Sequence, residues 1–330
     1  LAEHIVALAD KSLNPHRAML QLFRVTASLA KTEQRISISE TNLETLLQLC
    51  GASDPFAERI AANPTLIIIL DTSATKALRR DYRALLRAAI DAERSFPAEL
   101  AAFRLQWAEL IVEIAALDVE NELSIFETNS LQTDLATASM NVAYLIARRE
   151  MARRYGSFAG GPRVAFYGLG RLSTGGVDYG SDLDILITYD SLVPSPIKTL
   201  SQDETYSRLV ELMIAALSSI TREGYLYRVD MRLRPHGMNG PLVSSSEGFL
   251  DYLRDESAPW EWLAYAKLRC VGGDQEMGKM IETHARHRIH ANAERLDPKE
   301  LKAVTRHVRE RLEKEKGTAR RKLGTDIKYG

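Results

Sequence analysis

From the start of the chain to about Ser157, apolar residues recur at three- and four-residue spacing in a sequence rich in Ala, Leu, Arg and Glu. This is the pattern of amphipathic helices that pack on one another, and it predicts a helical array. Pro15, Pro55, Pro64 and Pro97 punctuate the array sparsely, and Pro64 is placed to open a helix after Asn63. The pattern breaks at Gly156-Ser157-Phe158-Ala159-Gly160-Gly161-Pro162, and a β-like run, Arg163-Val164-Ala165-Phe166-Tyr167, follows. Strands are predicted at 163–168, 182–189 and 225–234, with a helix from about Glu204 to Arg222 between the last two. The stretch Asp190–Gln202, with Pro194 and Pro196, reads as a loop. From about Ser246 the helical texture returns and continues to Lys322, its last part, from Arg306, crowded with Arg, Lys and Glu. The expected fold class is mainly α with a small α/β, mixed-sheet core. Its expected division is a helical region over 1–157, a core over 158–245 and a truncated helical region over 246–330.

Length and charge narrow the picture. A chain of 330 residues predicts roughly two domains. A net charge of −1 gives no basic footprint, so neither nucleic acid nor a membrane surface is expected as a partner. The apolar run Leu66–Leu70 is far below the roughly 20 residues a membrane-spanning helix needs. Cys50 and Cys270 lie far apart, without metal-like spacing and among apolar neighbours, and both read as buried thiols. This usage, with no signal peptide, fits the cytoplasm, and the absence of an initiating Met reads as a piece of a longer protein. His284, His287, His290 and His307 are expected on a solvated helix face.

Candidate chemistry concentrates in Gly180-Ser181-Asp182-Leu183-Asp184-Ile185-Leu186-Ile187. On a strand, spacing of two aims Asp182 and Asp184 at one face while Leu183, Ile185 and Ile187 point into a core. Adjacent carboxylates repel unless a cation neutralises them, and Mg²⁺ is a hard, oxygen-seeking ion suited to that task. An isolated pair of this kind also marks the exposed face of an edge strand. The context favours chemistry: Gly168-Leu169-Gly170-Arg171 follows a strand and offers backbone N–H groups at a turn or helix start, where phosphate binds well. In Arg228-Val229-Asp230-Met231-Arg232-Leu233-Arg234-Pro235, strand alternation places Arg228, Asp230, Arg232 and Arg234 on one face. Beside the first pair, Asp230 becomes a third ligand of a two-metal site, and the arginines can clamp phosphate oxygens. The alternative is an arginine–aspartate ladder on a solvated face. Trp260, Glu261, Lys267 and Arg269 are expected on a helix beginning near Pro259, with Trp260 in the core and Lys267 or Arg269 near phosphate or in surface ion pairs.

These parts together resemble the nucleotidyltransferase superfamily of DNA polymerase β, and more closely the glutamine synthetase adenylyltransferase/deadenylylase family. The resemblance rests on Gly168-Leu169-Gly170-Arg171-Leu172, Tyr179-Gly180-Ser181-Asp182-Leu183-Asp184, and Val229-Asp230-Met231-Arg232-Leu233-Arg234-Pro235 with Gly237, Gly240 and Leu242-Val243. It continues through Trp260-Glu261, Ala264, Lys267, Arg269 and Gly273-Asp274 to Asp326-Ile327-Lys328, and so covers most of the chain from about residue 40. It implies an enzyme that moves AMP from ATP to a tyrosine of glutamine synthetase, or removes it with phosphate, in control of nitrogen assimilation. The implied partners are glutamine synthetase and PII-type signal proteins. Members of the family carry two catalytic halves, and this chain, with one nucleotidyltransferase unit, looks like one of them. Asn42-Leu43-Glu44 to Cys50-Gly51-Ala52-Ser53, with Asn63-Pro64, resemble the opening of the adenylylating half. Val229-Asp230-Met231 and Gly240-Pro241-Leu242-Val243 resemble the deadenylylating half. Where the family has Lys-Leu-Gly-Gly and then Glu-Leu, this chain has Arg171-Leu172-Ser173-Thr174 and Gly176-Val177, losing an acidic residue.

On this reading Asp182 and Asp184 bind two Mg²⁺ ions, and Asp230 helps hold the second and accepts the proton of the tyrosine hydroxyl. Gly168, Gly170, Arg171, Ser181, Arg232, Arg234 and Lys267 contact nucleotide phosphates. Two rivals stand beside it. The altered loop at Ser173–Gly176 suits a degenerate module that binds nucleotide without chemistry, and other members of the superfamily transfer nucleotides to RNA. Balanced charge without interleaved basic and aromatic residues argues against RNA.

Overall fold

The computed structural model describes residues 2–32, 36–70, 80–92, 94–120, 123–156, 163–221 and 224–315. The boundary expected at 157/158, the helix end expected at Arg222, the end of the basic run at Lys322 and the motif Asp326-Ile327-Lys328 lie outside the described residues.

The chain is mainly helical with a small mixed sheet. In order, it forms α1 (Ala2–Ala9), α2 (Pro15–Leu29), α3 (Glu40–Ala52), α4 (Asp54–Ala62), a 3-10 helix (Pro64–Leu70), α5 (Tyr82–Ala89), α6 (Phe96–Val119) and α7 (Ile125–Tyr155). There follow β1 (Val164–Gly168), α8 (Gly170–Thr174), β2 (Leu183–Tyr189), α9 (Gln202–Ser218), β3 (Val229–Asp230), a 3-10 turn (Gly237–Asn239) and β4 (Ser244–Ser245). The chain then runs through α10 (Ser246–Asp255), α11 (Pro259–Tyr265), β5 (Arg269–Gly273), α12 (Gln275–Glu294) and α13 (Pro298–Glu315). Two compact units emerge: Leu1–Ser157 with Gly175–Asp182 and Leu209–Val229, and Phe158–Thr174 with Leu183–Arg208 and Asp230–Gly330.

In the helical unit, local sequence sets the helix starts. Asn14 accepts the Arg17 N–H at 3.0 Å with Pro15 in the first turn of α2. Ser124 and Glu127 form a reciprocal capping box at α7. Pro64 does open a helix, but the run of β-branched residues behind it winds as 3-10 rather than α. Two buried charges knit the long helices. Glu99 of α6, fully buried, is held by Arg149 at 2.6 Å and Arg153 at 2.7 Å from α7. Arg104, 1% exposed, donates to the carbonyls of Ala216 and Ser219 at the C-terminal end of α9, where the helix dipole favours a cation.

The second unit is built on a sheet of order β3-β2-β1-β5, with β4 beside the end of β2. β1 runs antiparallel to both β2 and β5, so it is central and buried throughout. Alternation puts Ala165 and Tyr167 of β1 and Leu186 of β2 into one cluster with Phe249 and Leu253 of α10, Tyr265 of α11 and Ile281 of α12. A polar thread crosses this layer: the Thr188 hydroxyl lies 3.3 Å from Tyr167 Oη and 2.9 Å from Ser246 Oγ. Buried hydroxyls satisfied this way fix the register of the layer.

The structure corrects several expectations. The strand expected over 225–234 is only Val229–Asp230. Asp230 accepts the backbone N–H of Arg232 at 2.8 Å, a turn two residues on that competes with the strand ladder, and Pro235, Gly237 and Gly240 follow. Arg232 and Arg234 therefore lie on a turn, not on one face of a strand with Asp230. The helix expected to carry Lys267 and Arg269 ends at Tyr265; Lys267 is exposed beyond it, and Arg269 opens β5. Trp260 is 48% exposed, whereas Trp262 is buried and donates its indole N–H to Ser257 Oγ at 2.8 Å. On a short helix the two aromatics point to different sides, and the one facing the sheet packs.

Candidate active site

The glycine turn and the first carboxylate meet at the end of β1. Gly168 pairs with Ile185, and the Leu169 N–H donates to the Asp184 carbonyl at 2.9 Å, so the turn leaves the sheet directly opposite Asp184. Gly170 then starts α8 at φ +52°, a conformation that favours glycine. It has a second reason to lack a side chain: a Cβ there would lie 2.6 Å from Asp184 Oδ2. Gly168 is needed for packing, since a Cβ would fall 2.9 Å from Leu172 Cγ. Ser173 and Thr174 return their hydroxyls to the Gly170 carbonyl at 2.9 and 3.2 Å. The altered loop thus folds as an ordinary helical turn, with Arg171 half-buried within it.

Asp184 belongs to the same face of β2 as Leu186 and Thr188, which are buried. It stands half-buried at the edge of that covered face. Leu183, Ile185 and Ile187 are buried on the opposite face, as their alternation predicts. Asp182 precedes the strand and is exposed, and Ser181 closes a tight turn in which its Oγ accepts the Asp178 N–H at 3.1 Å.

Asp230 lies on β3, the strand next to β2. Its carboxylate accepts two bonds from Arg232, Nε at 2.9 Å and Nη2 at 2.5 Å, besides the backbone N–H. Burial pushes the Asp230 carboxyl up, but the Arg232 hydrogen bonds and charge together outweigh it and hold it below the usual carboxylate range. Arg232 itself is largely exposed. Arg234 has a different occupation: its guanidinium donates to the carbonyls of Met231 at 3.0 Å, Pro241 at 3.0 Å and Met238 at 3.3 Å. It holds the 231–241 loop closed, which takes it away from the phosphate contact expected of it.

The structure therefore sets Gly170 against Asp184 and puts Asp184 and Asp230 on neighbouring strands. It does not gather the carboxylates into a finished cluster: among the described residues no group of three or more His, Cys, Asp or Glu could hold a metal ion. Glu261 of the later motif caps the Ala258 N–H at 2.8 Å and accepts the Tyr252 hydroxyl at 2.7 Å; burial, and then Glu261, push that phenol up to about 12. Asp274 accepts the Met277 N–H at the start of α12 and pairs with Arg163 at 2.8 Å. Both motif residues hold the fold. Strand alternation does not predict the pairing of Asp230 with Arg232; the short spacing of an acid and an arginine before Pro235 is the signal for it.

A glycine turn thus leaves one strand of a small mixed sheet, and carboxylates stand on the next two. The family model described as glutamate-ammonia ligase adenylyltransferase matches residues 43–284, and the chain belongs to that family. The match runs from α3 into α12 and includes the whole sheet. The family is one of adenylyltransferases whose members act on glutamine synthetase. Among the described residues no helix is long and apolar enough to cross a membrane.

Proposed function

We propose that this chain catalyses Mg²⁺-dependent transfer of AMP from ATP to a tyrosine hydroxyl of glutamine synthetase. The observation that carries the reading is the placement of Asp184 and Asp230 on neighbouring strands beside the Gly170 turn, in a member of this family. Control of nitrogen assimilation in the cytoplasm, with PII-type signal proteins as further partners, belongs to the same proposal.

Carboxylate oxygens suit magnesium in kind, and Asp230 already demands a positive partner, a place Arg232 fills. Asp182, Asp184 and Asp230 would hold the two ions. Bound magnesium supplies Lewis acidity toward the triphosphate and lowers the pKa of the incoming hydroxyl. The protein's residues do the rest. Gly168 and Gly170 let the backbone come close to phosphate oxygens. Arg171 and Lys267 balance their charge, joined by Arg232 once it leaves Asp230, and the Ser181 hydroxyl donates a hydrogen bond to them. Asp230 takes the phenolic proton as the tyrosine oxygen bonds to the α-phosphorus, the bond to the β-phosphate oxygen breaks and pyrophosphate leaves.

The test offers ATP labelled at the α-phosphate with unmodified glutamine synthetase, beside adenylylated synthetase with phosphate, each with and without a chelator. Chelator-sensitive labelling of the synthetase supports the proposal. Release of ADP from the modified form would assign the opposite direction, which the resemblance of Gly240-Pro241-Leu242-Val243 to the deadenylylating half favours. Neither reaction would mark a module without chemistry.

A further inference from the structure

The helical unit contains a cavity of about 350 Å³ that shares Ser181 with the proposed phosphate contacts and is otherwise lined by residues the proposed chemistry does not use. A cavity of that size suits a small molecule. Arg59 of α4 lines it, with its guanidinium 4.7 Å from the centre of the Trp107 ring. Burial destabilises this cation, and among the described residues Arg59 makes no ion pair. A guanidinium held partly out of water without a carboxylate carries a cost unless something else compensates it, and a face-on aromatic ring does so only in part. Gln132 of α7 lines the same cavity; it is 2% exposed, and among the described residues its amide nitrogen has no hydrogen-bond partner. Arg228 adds a second guanidinium to the wall. The carboxylate there, Asp178, accepts the Tyr179 backbone N–H at 2.7 Å. Phe56 and Tyr225 supply flat apolar surface.

We propose that this cavity is a binding site for a small aromatic carboxylate, whose charged end pairs with Arg59 and the Gln132 amide and whose ring packs on the aromatic walls. A planar guanidinium matches a carboxylate through two parallel hydrogen bonds, and a ring between aromatic side chains adds offset or edge-on contact. A neutral ligand would leave Arg59 as uncompensated as before, and inorganic phosphate would leave the apolar walls unfilled.

The chain has three tryptophans, Trp107, Trp260 and Trp262, so its indole N–H signals are few and can be assigned with the Trp107→Phe variant. Benzoate should shift the Trp107 signal saturably, with half-saturation on the order of 1 mM for so small a ligand, and leave the other two in place. Benzamide, its neutral counterpart, should bind at least tenfold more weakly, and phosphate should leave Trp107 unmoved. Arg59→Gln should weaken benzoate at least tenfold, and Gln132→Leu by less, in variants whose circular dichroism and melting match the parent. An unmoved Trp107 signal, or benzamide or phosphate acting as strongly as benzoate, would overturn the proposal. The ligand comparison uses the unaltered chain, and the readout is independent of AMP transfer.

Discussion

The two units treat buried charge in opposite ways. In the helical unit Glu99 has no exposure and two fixed arginine partners, and Arg104 is spent on the carbonyls that end α9. These charges have several partners and little freedom to exchange them. In the sheet unit Asp184 stands at the edge of a covered face, and Asp230 is neutralised by one exposed side chain. The contrast separates charge that holds architecture from charge that can change partners. The first is held from rigid elements; the second sits at strand ends, where one counter-ion can be traded for another.

Substitutions that trade stability against activity break or sharpen this contrast. The largest effect is expected from Asp184→Asn, which should cut AMP transfer by about 10³-fold or more, the scale of losing a main electrostatic group, with little change in melting temperature. Glu99→Ala should do the reverse. It leaves two arginines facing a buried gap and should cost about 3 kcal/mol or more in urea unfolding, the scale of breaking a buried ion pair, while the remaining folded protein keeps its turnover. Gly170→Ala falls between them. The positive φ costs about 1 kcal/mol, and the new Cβ must displace the Asp184 carboxylate, so activity measured beside stability should fall by the larger factor.

The smallest expected effect is a pKa. Asp230 is depressed in the folded chain, so its stabilising contribution is complete above the ordinary carboxylate pKa of about 4 and is lost as pH falls through the depressed value. Arg232→Gln removes the guanidinium charge and its side-chain bonds but keeps the backbone N–H bond from position 232. The Asp230 carboxyl should then titrate higher than in the parent, as followed by carbon NMR of the labelled side chain, and an unchanged value would show that Arg232 is not its counter-ion.

Much of this was legible in the sequence where one periodicity governs a whole element. The helical texture before Ser157, β1, β2 and the helix after the 190–202 loop all follow from apolar spacing. Leu183, Ile185 and Ile187 are buried as alternation demands, and Gly168 and Gly170 mark a real turn. Legibility failed where a side chain redirects the backbone or an element is too short to show a period. Asp230 stops its own strand by accepting the Arg232 N–H, which no hydropathy pattern records. β5 is five residues ending in Gly272-Gly273, and β4 is two serines, so neither carries an alternation to read. The placement of Trp262 rather than Trp260 in the core depends on which side of α11 faces the sheet, a tertiary fact. Arg59, Trp107 and Gln132 come from three separate helices, and nothing in their spacing announces a shared cavity.

The proposed function requires that Asp184 and Asp230 form a divalent-cation site in which Arg232 is the exchangeable counter-ion. Manganese, whose free ion is counted directly by its paramagnetic resonance, tests it without substrate. The parent chain should deplete free manganese saturably, Asp184→Asn should lose that binding, and Arg232→Gln should bind at least as tightly as the parent because its competitor is gone. Undiminished binding by a folded Asp184→Asn would contradict the account.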